Sequence, residues 1–183
     1  FGMLLTVSYR EIAIMEMFNQ KKELENNLAV IEKEDGQVEK SIKEVDEIYD
    51  YLLENEITPT MMIHRGHSYH LSGSLESLSP QIKVVMLGSC GGYQNLANVL
   101  NRSPEANIIS SKQVGAARIN EPIIAAMLKD LLAGNDINWT KLWNGLDQLF
   151  AKQGKVEQDL YSDYVPPHKN LGAIFIKAYR KMM

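Results

Sequence analysis

Only one cysteine, Cys90, stands among the 183 residues, so no disulfide can form within the chain. A disulfide scaffold is excluded as a source of stability, and this usage fits a reducing compartment or a larger parent chain. No run of about 18 apolar residues occurs, so no membrane-spanning helix is expected. Positive charge is not in excess: 19 Lys and Arg stand against 23 Asp and Glu, a formal net charge of −4. Sequence-independent nucleic-acid binding draws on a basic excess that releases counterions from phosphates, so no nucleic acid is expected as a partner. The chain does not open with the charged, apolar and cleavage-site segments of a secretory leader. Its first residue is Phe1 rather than a methionine, as in a fragment or a processed product. Localisation is left open.

What is present is enough for one domain with a helical extension. Gly2 to Tyr9 is short, apolar and ends in β-formers, which reads as a strand or the lead-in to a helix. Strong helix formers follow from Arg10 to Glu34, with Leu24, Leu28 and Ile31 on one stripe. After Asp35-Gly36, a natural break, the stripe resumes at Val38, Ile42, Val45, Tyr49 and Leu52. Steps of four and three flanked by Glu and Lys describe an amphipathic helical hairpin. Residues 1–58 are therefore expected to form a strand and a helical hairpin, packed on the core or on a partner. Residues 59–183 are expected to form the core that carries the chemistry.

The pattern changes after Pro59. Thr60–Ile63, Lys83–Leu87 and Asn107–Ile109 are short, continuous apolar runs. Helical patterns follow at Tyr93–Leu100, Glu121–Leu132 and Thr140–Lys152, with Pro122 expected in a first turn and Gly134 just past a helix end. Uninterrupted apolar strands alternating with helices predict an α/β fold, with a mainly parallel sheet covered by helices on both faces. Lys155–Pro167 reads as loop, and Leu171–Met183 fits either a strand or a helix. Tyr69, Trp139 and Trp143 read as packing residues.

Ligands bind beyond the carboxyl ends of strands in such sheets. Two of those ends carry reactive residues: His64-Arg65-Gly66-His67-Ser68-Tyr69-His70 after one, Gly88-Ser89-Cys90-Gly91-Gly92 after the other. Glycines on both sides of Cys90 permit a sharp turn and close substrate approach. A helix after the turn would favour the thiolate, and N–H groups beside it could receive an oxyanion. A thiol nucleophile needs a base. His67, 23 residues upstream, is the first choice; His64 and His70 are alternatives, His64 being nearer the strand and more readily packed. His64, His67 and His70 with Cys90 would suit zinc. They converge only on a helix, which Gly66 after a β run opposes, so neither a metal nor an organic cofactor is expected.

Together, the segments MMIHRGHSYH and KVVMLGSCGG resemble the caspase-like cysteine peptidases, the group of caspases, gingipains, clostripain and separase. The resemblance spans roughly Pro59 to Gly134. It implies a dyad with His67 as acid/base and Cys90 as nucleophile, acting on peptide or protein substrates. Gly66 and Gly91 would shape the oxyanion site. Many members have glycine directly after the catalytic histidine, where this chain has Ser68. The segment Ser110-Ser111-Lys112-Gln113 would line a substrate pocket. A second resemblance, of the Gly88–Leu96 turn to class I glutamine amidotransferases, would pair Cys90 with His168; Asn170 stands where those enzymes carry Glu. A non-catalytic binding or scaffolding domain of the same fold is the further alternative.

Overall fold

The computed structural model describes residues 54, 56, 58–65 and 67–182. The expectations for Gly2–Tyr9, Arg10–Glu34 and the stripe from Val38 to Leu52 lie outside the described residues, as does Gly66.

Four strands make one open sheet: β1 (Met61–His64), β2 (Val84–Leu87), β3 (Asn107–Ser111) and β4 (Tyr164–Val165). They lie in that spatial order. The first three are parallel, with Met62 opposite Val85 and Val85 opposite Ile108. Strand β4 is an antiparallel edge, with Ser110 opposite Val165 and Ser111 opposite Tyr164. The expected α/β class and mainly parallel sheet are present.

Because side chains alternate across a sheet, the buried strands supply two apolar faces. One presents Met62, Val85, Leu87 and Ile108. Helices α1 (Leu71–Glu76) and α2 (Leu96–Arg102) bring Leu71, Leu75, Val99 and Leu100 against it. The other face presents Ile63, Met86 and Ile109, each fully buried. Helix α3 (Ala117–Leu132) contributes buried Ile119, Ile123 and Met127, and packs against α4 (Trp139–Phe150) and α5 (Lys155–Ser162). The Phe150 and Tyr161 rings stack there at 4.3 Å, and the Tyr161 hydroxyl donates to Asp147 Oδ1 at 2.7 Å. The last helix, α6 (Leu171–Arg180), is capped by Asn170, whose Oδ1 accepts from Ala173 N at 3.1 Å. Its Ala173 joins the first face.

Several expectations are corrected. Lys155–Pro167 is not loop: it holds α5 and β4. Its charged residues had masked the helix, since the buried side of α5 rests on Tyr161. Residues 171–180 are helical, which settles the ambiguous terminal segment. Helix α3 begins at Ala117, so Pro122 lies inside it rather than in its first turn. Gly134 does end the unit, at φ 71°, with its N–H on Leu131 O at 2.9 Å. The segment after Cys90 begins as a 3-10 turn over Gly92–Asn95 and only then becomes α2.

Candidate functional site around Cys90

Strand register places the candidates. His64 pairs with Leu87, the final residues of β1 and β2, and the Gly88 N–H extends the ladder by donating to His64 O at 2.8 Å. His67 and Cys90 stand three residues beyond His64 and Leu87 respectively, past the same edge of the sheet. His64 is wholly buried, with Nδ1 2.8 Å from Ser74 Oγ. It belongs to the core and does not border the cleft. His67 and Cys90 are both exposed. The His67 ring stacks on Tyr69, centroids 5.2 Å apart and planes 13° from parallel. His70 closes the 3-10 turn Ser68–His70 that leads into α1.

The turn bearing Cys90 is built by close backbone approach. Gly91 sits at φ 64°, a left-handed conformation that costs glycine least. Its N–H donates to Gln113 O at 2.7 Å, tying the turn to the loop after β3. Gly91 therefore does not fill its expected oxyanion role, because that N–H is already used. Gly115 passes so close that a Cβ there would lie 2.0 Å from Gly88 O. Asn120, 2% exposed, donates from Nδ2 to Gly88 O at 2.9 Å. The Tyr164 hydroxyl donates to Asn120 Oδ1 at 2.7 Å and accepts from Ala116 N at 3.0 Å. Burial, with a smaller contribution from the Cys90 charge, pushes the Tyr164 phenol up to about 12. It thus remains a protonated donor, and it lies within electrostatic reach of Cys90. β4, α3 and the β3–α3 loop together clamp the residues immediately before the thiol.

An open cleft of about 680 Å³ runs over this turn. Cys90, Ser68, Tyr69, Gln94, Lys112 and Gln113 are on its walls. Of the pocket expected at Ser110–Gln113, only Lys112 and Gln113 line the cleft. Ser110 and Ser111 are fully buried strand residues whose hydroxyls have no hydrogen-bond partner. Strand β3 runs two residues further than its apolar letters indicated, and that carries both serines into the sheet. Tyr69 is 69% exposed on the cleft wall rather than a packing residue. Trp143 is buried as expected.

His168 lies elsewhere. β4 runs antiparallel to β3, so the residues after Val165 lead toward the amino end of the sheet. Asn170 Nδ2 accordingly reaches Ile108 O, at 3.5 Å. His168 is not on the cleft wall. Its Nδ1 is buried without a partner, and burial, aided by the Lys169 charge, holds its pKa below the usual histidine value. Among the described residues no three His, Cys, Asp or Glu side chains are grouped to hold a metal ion.

Tyr164, Asn120 and Gly115 escaped the sequence reading. Tyr164 sits in a polar stretch, and Asn120 falls on a helix where polar residues are ordinarily solvated. The only local signal was the glycine after Val114. No protein-family model, curated protein or solved structure matches this chain.

Proposed function

We propose that the chain is a cysteine peptidase-like hydrolase in which Cys90 is the nucleophile and His67 the acid/base. The supporting observation is the shared offset of the two residues past adjacent parallel strands, beside an open cleft that exposes the thiol. In the reaction, His67 accepts the thiol proton and Cys90 Sγ bonds to the scissile carbonyl carbon. The C–N bond then breaks, and the amine leaves with the proton from the imidazolium. Water next attacks the thioester, releasing the acid and restoring the thiol. With Gly91 N–H committed to Gln113, the Cys90 N–H is the available oxyanion donor, since it donates to no described residue.

The alternative is a binding domain without efficient chemistry. It draws on the stacking of His67 on Tyr69, which leaves the histidine off the cleft wall. The amidotransferase-like pairing of Cys90 with His168 has less support, because His168 sits toward the opposite end of the sheet.

Iodoacetamide labelling near pH 6 separates these readings. Under the dyad reading Cys90 labels readily, His67→Ala slows it, His168→Ala does not, and Cys90→Ala abolishes cleavage of a peptide library. Labelling that is indifferent to His67, with no peptide cut, selects the binding domain.

A further inference from the structure

We infer that α6 lies on anionic lipid surfaces, its outward apolar stripe seated among the acyl chains and the lysines beside it on the phosphates. This goes beyond the peptidase reading and does not rest on it. A helix packed on a domain ordinarily turns its apolar side inward and its polar side to water. Helix α6 does the reverse. Leu171, Ile174, Phe175, Ala178 and Tyr179 are all exposed, and so is Met182 just past its end. Leu171 is 75% exposed, Phe175 71% and Met182 84%. Steps of three and four put the five helix residues on one stripe roughly 140° wide, at about 3.6 residues per turn, with no charged side chain inside it. The Phe175 and Tyr179 rings stack within it, centroids 6.4 Å apart. Single exposed apolar residues are ordinary, whereas a contiguous set marks a contact surface.

The stripe is held outward from both ends of the helix. Gly172 brings α6 so close to α2 that a Cβ there would lie 2.9 Å from Leu96 Cδ1. Arg180 donates to Leu100 O at 2.5 Å and also to Asn101 Oδ1. Charge beside the stripe has one sign. From Tyr164 to Met183 the cations are Lys169, Lys177, Arg180 and Lys181, with no Asp or Glu, in a chain whose net charge is −4. Burial holds the Lys177 pKa below the ordinary lysine value; Glu105 opposes this, and the charges of Lys181 and Lys83 add to it. Lys83, Lys177 and Lys181 therefore share one basic neighbourhood. A symmetric pair of chains sets the same patch against itself, so each basic rim would face another with no acid of α6 to relieve it. An anionic bilayer meets both features at once, with acyl chains for the stripe and phosphates for the lysines. Among the described residues no helix is long and apolar enough to cross a membrane. Helix α6, about 15 Å long, lies in the plane of the interface.

The test sediments the full chain with vesicles of phosphatidylcholine alone and of phosphatidylcholine mixed equally with phosphatidylserine. The expected result is binding to the mixed vesicles at least about tenfold tighter than to the neutral ones, weakening as salt rises. Leu171→Ser with Phe175→Ser abolishes it, and Lys83→Glu with Lys181→Glu weakens it by at least about tenfold. All four positions are exposed, so both variants should fold, and circular dichroism with unchanged Cys90 labelling checks this. No binding to mixed vesicles, equal binding to both kinds, or binding that survives either double substitution overturns the inference. Two outcomes without vesicle binding also overturn it and reassign the stripe. A dimer in sedimentation velocity that Leu171→Ser with Phe175→Ser dissolves gives it to a second copy. Tight binding of an acidic amphipathic helical peptide, lost in the same variant, gives it to a protein partner. Failure of the dyad reading appears separately, as Cys90 labelling indifferent to His67, and leaves these outcomes unchanged.

Discussion

The Tyr164 hydroxyl donates a 2.7 Å hydrogen bond to Asn120 Oδ1, joining residues 44 apart in sequence, and Asn120 passes the link to the carbonyl of Gly88. Tyr164→Phe removes the donor while keeping the ring. It strands a buried amide oxygen and the Ala116 N–H. We expect stability to fall by about 1–3 kcal/mol in urea denaturation. Cys90 alkylation should slow as well, because the clamp ends two residues from the thiol.

The same phenol gives a pH signature. Its folded pKa, about 12, lies above the ordinary value of 10.0. A raised pKa stabilises the fold fully below the unfolded value and is lost as pH rises through the folded one. Stability should decline between about pH 10 and 12. That component should be absent in Tyr164→Phe, as read by denaturation midpoints across the range.

His168 predicts the opposite slope. Its pKa is depressed by burial, so the fold favours the neutral ring. The stability it contributes is present above the unfolded value of 6.5 and is lost as pH falls below it. His168→Gln should flatten the pH dependence of the denaturation midpoint on the acid side of neutrality.

The two strand-end histidines should separate stability from chemistry. His64 is buried against Ser74, so His64→Ala should cost about 2 kcal/mol or more through an emptied site and a lost hydrogen bond. His67 is exposed, and His67→Ala should stay within about 0.5 kcal/mol. Equal thermal shifts for the pair would contradict this division.

Gly115 and Gly145 make a matched comparison. A methyl at Gly115 would meet Gly88 O at 2.0 Å, against backbone that cannot yield cheaply. Gly115→Ala should destabilise by about 2–4 kcal/mol and perturb Cys90 reactivity. Gly145 lies in α4, where a methyl would meet nothing within 4 Å. Gly145→Ala should stabilise by about 0.5–1 kcal/mol, since alanine loses less entropy in a helix.

The residue pattern by itself determined the class of the fold and the edge at which to look. Met61–Ile63 and Val84–Leu87 are apolar at every position, and such short runs alternating with helical patterns suit a parallel sheet covered on both faces. Strands of this kind also carry their functional residues past their carboxyl ends, so His67 and Cys90 stood out. The helix α5 and strand β4 were hidden because short elements in a polar stretch gain stability from packing, as Tyr161 and Tyr164 do, rather than from local propensity.

Tertiary structure alone decided the rest. His64 was expected to pack because it lies nearer the strand, but its place as the last residue of β1 and its Ser74 partner came only from the fold. The commitment of Gly91 N–H to Gln113 and the burial of Ser110 and Ser111 arose from segments distant in sequence meeting in register. The removal of His168 to the far end of the sheet followed from the direction of a two-residue edge strand. Periodicity records which side of an element is buried, but long-range hydrogen bonds choose which polar atoms are left to act.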